Sequence, residues 1–144
     1  MASDNPLLLY SVMEKKNKFS NREKLKSKKA IALLFSEGKK INAFPIMAIY
    51  IQTSLPSQQV TKVGVAVSKK NIKLAVDRNL LKRRMREAYR LNNHALKNHL
   101  QQLPMGLNIM FVYTAKQILS YKEIEEKIKV ILTRLIERSE VVDE

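Results

Sequence analysis

Residues 107–114 read LNIMFVYT, an almost unbroken apolar run that opens just after Pro104 and Gly106. The run has strand length and lacks the alternation of a half-exposed strand. It reads as a central strand covered on both faces. A strand of that kind needs a neighbour on each side and packed layers above and below. The rest of the chain therefore has to supply further strands and amphipathic helices around it.

Candidates for both occur in order. Ser27 is a good N-cap for a short helix carrying Ile31, Leu34 and Phe35 at helical spacing, with Gly38 where a C′ glycine is wanted. Phe44 to Gln52 (FPIMAIYIQ) and Val63 to Val67 (VGVAV) read as strands. The spacer between them is hairpin-length, which predicts antiparallel neighbours. A long helix is expected from about Leu74 to about Lys97, with no Gly or Pro inside it. The last helix has the clearest start signal: Ser120 and Glu123 form a capping box, Leu119 and Ile124 a hydrophobic staple. Ile124, Ile128, Ile131 and Leu135 then recur along one face. The expected organisation is a tail over 1–18, one α/β domain over 19–138 and an acidic tail over 139–144.

Cysteine is absent, which removes disulfides, thiolate metal sites and a thiol nucleophile, and is compatible with a reducing compartment. His94 and His99 stand in a polar basic stretch without further ligands, so solvated side chains are expected there. The apolar stretch Pro6 to Met13 is too short to span a bilayer, and no basic segment precedes it.

The formal net charge is +14, and it is concentrated. Residues 68–97 hold ten basic and two acidic side chains, and residues 14–40 hold ten and three. From residue 101 onward six basic residues meet seven acidic ones. On the long helix Leu74, Leu81, Met85, Ala88 and Leu96 fall on an apolar stripe. Asn79, Lys82, Arg83, Arg86 and Arg90 gather on an adjoining arc about 100° wide. Cations at i, i+3 and i+4 repel by a few tenths of a kcal/mol per pair in an isolated helix. Phosphates would relieve that repulsion, and arginine binds them bidentately and stacks on bases. Lys69, Lys70 and Lys73 precede the helix and Arg78 stands near its start, where free backbone amides also favour anions. A DNA regulator would place its recognition helix after a short turn from another helix, whereas this one follows a strand. A membrane-surface role fits poorly with a basic arc lacking an apolar face to insert.

The stretch Lys62 to Arg90, KVGVAVSKKNIKLAVDRNLLKRRMREAYR, resembles the signature of the protein component of bacterial ribonuclease P. That pattern is a hydrophobic strand, [SA]KK, a short turn and A-x-x-RNRxKRxxRE on a helix. Ser68, Lys69, Lys70, Arg78, Asn79, Lys82, Arg83, Arg86 and Glu87 match it. Leu80 stands where the family has its second RNR arginine, with Arg84 nearby as a potential substitute, and Ile31 replaces the first aromatic of the opening helix. The resemblance implies an α+β fold: a compact α/β sandwich of order α-β-β-(β)-α-β-α, whose basic helix enters by a left-handed crossover. It implies a subunit that joins a catalytic RNA to remove the 5′ leader of precursor tRNA in the cytoplasm. Chemistry would belong to the RNA and its Mg²⁺, with no catalytic residue and no cofactor on the protein alone. Lys69, Lys70, Lys73, Arg78, Asn79, Lys82, Arg83, Arg86 and Arg90 would grip RNA. Ile31, Phe35 and Tyr50 would line a leader cleft between first helix and sheet. The competing expectation is a ribosomal or chaperone-like RNA-binding module of the same fold.

Overall fold

A computed structural model describes residues 24–53, 61–101 and 106–142. Helix α1 (Lys28–Glu37) leads into strands β1 (Lys39–Ala43), β2 (Ile46–Thr53) and β3 (Thr61–Val67). Helices α2 (Ala75–Asn92) and α3 (His94–Gln101), strand β4 (Gly106–Tyr113) and helix α4 (Tyr121–Val142) complete the α+β fold. The expected 1–18 tail lies outside the described residues, and α4 runs on through the boundary expected at 138.

The strand order is β1-β2-β4-β3. β4 pairs antiparallel with β2 and parallel with β3, so the apolar run 107–113 does lie inside the sheet. This overturns the expected β2–β3 hairpin. One edge of β2 is taken by β1 through a tight turn containing a cis Phe44–Pro45 bond, and the other by β4. A hairpin-length spacer permits pairing but does not impose it. The double-sided strand claims the central place because only there are both its faces covered.

Strand periodicity divides the side chains between two layers. Ile46, Ala48 and Tyr50 of β2, with Leu107, Ile109, Phe111 and Tyr113 of β4, face the main core. There they meet Leu81, Met85, Ala88 and Tyr89 of α2, Leu96 and Leu100 of α3, and Ile124, Ile128, Ile131 and Leu135 of α4. Each such large side chain contributes roughly 1.5–3 kcal/mol by leaving water. The opposite face carries Met47, Ile49 and Ile51 of β2 and Met110 and Val112 of β4, covered in part by Leu34 and Ile31 of α1 and by Leu25.

Several local expectations hold. Ser27 Oγ accepts from the Ala30 amide at 3.2 Å. Ser120 Oγ accepts from the Glu123 amide while Glu123 Oε1 accepts from the Ser120 amide, the reciprocal bonds of a capping box.

Others do not. Strand β1 has no counterpart among the strands expected from the residues, because KKINA buries only Ile41 and so shows no apolar alternation. The single long helix is two, divided at Asn93, which has non-helical φ/ψ of −92° and 1°. The Asn92-Asn93 pair has weak helix propensity, and the bend carries Leu96 and Leu100 into the core. Leu74 leaves the apolar stripe altogether: as the α2 N-cap it is 63% exposed. His94 is exposed as expected, but His99 is half-buried.

Gly38 closes α1 for a different reason than the one its sequence position suggests. Its φ is −71°, which any residue adopts. A Cβ there would meet Ile49 Cγ2 and the Leu34 carbonyl oxygen at 2.5 Å each, so glycine is required by close approach of α1 to β2. Gly38→Ala is therefore expected to destabilise the fold by about 1–3 kcal/mol through overpacking. Urea denaturation checks this; an unchanged midpoint would show that α1 can move away freely.

Candidate nucleic-acid interface

Helix α2 presents three strips along its length. Leu81, Met85, Ala88 and Tyr89 are buried against the sheet and α4. Asn79, Arg83 and Arg86 are exposed on the basic arc, with Lys82 and Arg90 half-buried at its borders. Leu80, Arg84, Glu87 and Leu91 form a third strip that turns toward the start of α4. The arc read from the sequence is thus assembled on one side of one rigid helix.

The arginines divide by what they touch. Arg78 Nη1 donates to the carbonyls of Ile72 and Lys73, at 2.9 and 2.8 Å, fastening the turn before α2 to the helix. That turn is closed from its other end by Ser68, whose Oγ accepts from the Asn71 amide. Arg78 is thereby a holder of the Lys69-Lys70-Lys73 turn, whose three lysines are all exposed. Arg84 Nη1 donates to the Leu119 carbonyl at 2.6 Å, which fixes α2 to the loop before α4. It does not stand in for an arginine at position 80, because its guanidinium is anchored on that carbonyl and faces the loop before α4. Arg90 pairs with Glu87 one turn away. Arg83 and Arg86 make no hydrogen bond or ion pair among the described residues.

Beside these free guanidiniums lies a groove of about 620 Å³. Arg83, Arg86 and Arg90 form one wall, Val63, Gly64 and Val65 of the β3 edge its base, and Lys24, Lys26 and Ile31 the other side. Leu25 holds that far wall in place, its amide donating to the Val63 carbonyl at 2.9 Å. Lys24 and Lys26 were not singled out in the sequence; the basic excess over 14–40 was the signal that carried them. The groove joins cationic walls to an apolar floor, the combination that single-stranded nucleic acid requires.

The three cleft candidates are separated. Ile31 lines the groove. Phe35 is 52% exposed on α1, available for stacking but outside the groove lining. Tyr50 is removed from the cleft: it lies 5% exposed on the opposite face of the sheet, where its hydroxyl accepts from Arg138 Nη1 at 3.3 Å. The period of two decides this, since Ile49 and Ile51 take the α1 side. Among the described residues no group of acidic, histidine or cysteine side chains could hold a metal ion.

Two tyrosines support the floor of the α2–α4 contact. Tyr113 donates to the Gln117 carbonyl and accepts from the Leu119 amide, ordering the loop that Arg84 also grips. Burial pushes the Tyr121 phenol up to about 12, helped by Glu125, to which it donates. Burial raises Tyr113 as well, against the opposing pull of the Leu119 amide and Arg84.

Fold and surface together define a small basic α+β protein whose working face is built to grip polyanions. The comparisons agree. A sequence profile of the family described as Ribonuclease P matches residues 19–136. The ribonuclease P protein component of Porphyromonas gingivalis is 32% identical over 116 residues, 81% of this chain and 85% of that protein. That of Chlorobaculum tepidum is 38% identical over 84 residues, 56% of this chain and 54% of that protein. The fold matches the ribonuclease P protein of Thermotoga maritima at a TM-score of 0.61, with 24% identity over 78% of this chain and 96% of that one. It matches that of Staphylococcus aureus at 0.59, with 18% identity over 78% and 94%. The chain belongs to the ribonuclease P protein family, and is the accessory protein subunit of that RNA-containing endoribonuclease.

Two outcomes are expected. Arg83→Ala and Arg86→Ala each weaken RNA binding and reduce the log–log salt slope by roughly one unit; binding titrations at several salt concentrations check this, and unchanged slopes would remove the arc from the interface. Both phenols are raised above the ordinary tyrosine value of 10.0, so their stabilising contribution is complete below pH 10 and is lost as pH rises through the folded pKa, about 12 for Tyr121. Denaturation across that range should show falling stability, with a shallower fall in Tyr121→Phe.

Proposed function

We propose that this subunit holds the 5′ leader of precursor tRNA while the ribonuclease P RNA cleaves it. The observation that carries the reading is a pair of arginines without partners among the described residues, Arg83 and Arg86, beside a groove with an apolar floor. Phosphates of a strand lying there would neutralise the repulsion along α2 without displacing an internal partner. Lys69, Lys70 and Lys73, exposed before the helix, extend the same positive surface toward the RNA subunit. Phe35 offers an exposed aromatic face to an unstacked leader base, and Ile31 an apolar contact at the groove.

On this reading the protein contributes binding and positioning, and hydrolysis belongs to the RNA with Mg²⁺ bound to it. Its place of work is the cytoplasm, where precursor tRNA is found. No helix among the described residues is long and apolar enough to cross a membrane.

The decisive assay is cleavage of precursor tRNA at low Mg²⁺ by a bacterial ribonuclease P RNA. Protein alone should be inert, and protein with RNA should restore accurate 5′ cleavage. Binding to the RNA without stimulation would instead favour a general RNA-binding module. Phe35→Ala should weaken binding of leader-containing precursor by about 1–3 kcal/mol more than binding of mature tRNA. Equal losses for the two ligands would confine Phe35 to a structural role.

A further inference from the structure

Arg83 and Glu87 line a second concavity on the other side of the α2 ridge. It measures about 310 Å³ and lies between α2 and the first turn of α4, with Leu80 and Tyr121 as its remaining apolar walls and Arg84 beside them. We propose that this depression receives an unpaired nucleobase of the partner RNA, seated against Leu80 and the Tyr121 ring, with its phosphate on Arg83. The inference rests on the reading of the partner as RNA and adds a second contact point to it.

Four features of the site point to that ligand. Its walls combine an aliphatic and an aromatic side chain, both half-buried and therefore partly presented to solvent. The Tyr121 hydroxyl is occupied by Glu125, leaving the ring as the contacting surface. Arg84, which also lines the depression, is held on the Leu119 carbonyl. Arg83 has no partner among the described residues and belongs to both concavities, so a strand whose phosphates follow the basic arc can turn one base over the ridge without leaving its charge contacts. A flat face takes a base by stacking and tolerates any sequence, whereas a guanidinium at position 80 would hold a phosphate and occupy the same space.

The depression is also prearranged. Asn92 Nδ2 donates to Glu125 Oε2, which also accepts from Tyr121, so α2 and α4 are tied together just behind the ring. Binding there would need no rearrangement of the fold.

The test uses the full chain and two fluorescently labelled 12-nucleotide strands of equal charge: oligoadenylate and an abasic ribose-phosphate strand. Leu80→Ala should weaken oligoadenylate on the order of tenfold, leave the abasic strand unchanged and keep the salt slope of the parent protein. Leu80→Met, which conserves volume and apolarity, should stay within about twofold of the parent on both. Equal loss on the two strands, or loss on neither, overturns the proposal. Should Leu80→Ala lose its cooperative melt, Leu80→Gln puts a polar group in the same place and is held to the same outcomes. Stimulation of precursor cleavage by the unmutated protein is measured alongside. Its absence would sink the broader reading, whereas a Leu80 series without base dependence would sink only the base site.

Discussion

The burial of β4 on both faces organises the molecule. Its odd-numbered residues from Leu107 to Tyr113 meet the main core, while Met110 and Val112 meet the layer under α1. A strand so apolar cannot lie at an edge, and once it is central its two neighbours are β2 and β3. Because β3 runs parallel to it, the chain must cross from one end of the sheet to the other between them. The α2–α3 pair is that crossing. Its apolar side is held by the core, and the basic arc is left outward beside the β3 edge.

The electrostatic arrangement follows from the same packing. A helix with Lys82, Arg83, Arg86 and Arg90 within two turns is penalised by its own repulsion, and Glu87 offsets only Arg90. Anchoring by the buried side chains outweighs a cost of this size. The neighbouring cations do structural work on carbonyl oxygens: Arg78 on the turn before α2, Arg84 on the loop before α4, and Arg134 and Arg138 on Asn42 and Lys40 of β1. The last two cover carbonyls of an edge strand that would otherwise be open to pairing with another chain. The other edge is partly covered where Leu25 bonds to Val63. Positive charge in this protein thus has two employments: some guanidiniums hold carbonyls of the fold, while Arg83 and Arg86, without an internal acceptor among the described residues, face outward with the exposed lysines.

The sides of the α2 ridge differ in chemistry for a reason rooted in helix geometry. One turn of the helix places Arg83 between the strip that faces the β3 edge and the strip that faces α4. The first side meets strand backbone and lysines, giving a long cationic groove. The second meets the capped start of α4 and gives a small, mostly apolar depression. A polyanion with detachable planar groups is the kind of partner that can use both.

The amino-acid sequence by itself determined the elements whose signals are local. The central strand, the N-cap at Ser27 and the capping box at Ser120, the core row of α4 and the basic arc of α2 were all legible, because periodicity and short-range hydrogen bonding specify them. The family was legible for a similar reason, since its pattern lies within one strand, one turn and one helix. Only the tertiary structure decided what depends on distant partners. The slot beside β2 went to β4 rather than β3 because burial on two faces outranks loop length. Ile41 alone could not announce β1. Tyr50 fell on the wrong face for a cleft by a single residue of register, and Arg78 and Arg84 turned inward to carbonyls brought near by folding. Local sequence can state that a side chain is cationic or aromatic; which acceptor reaches it first is a property of the packed chain.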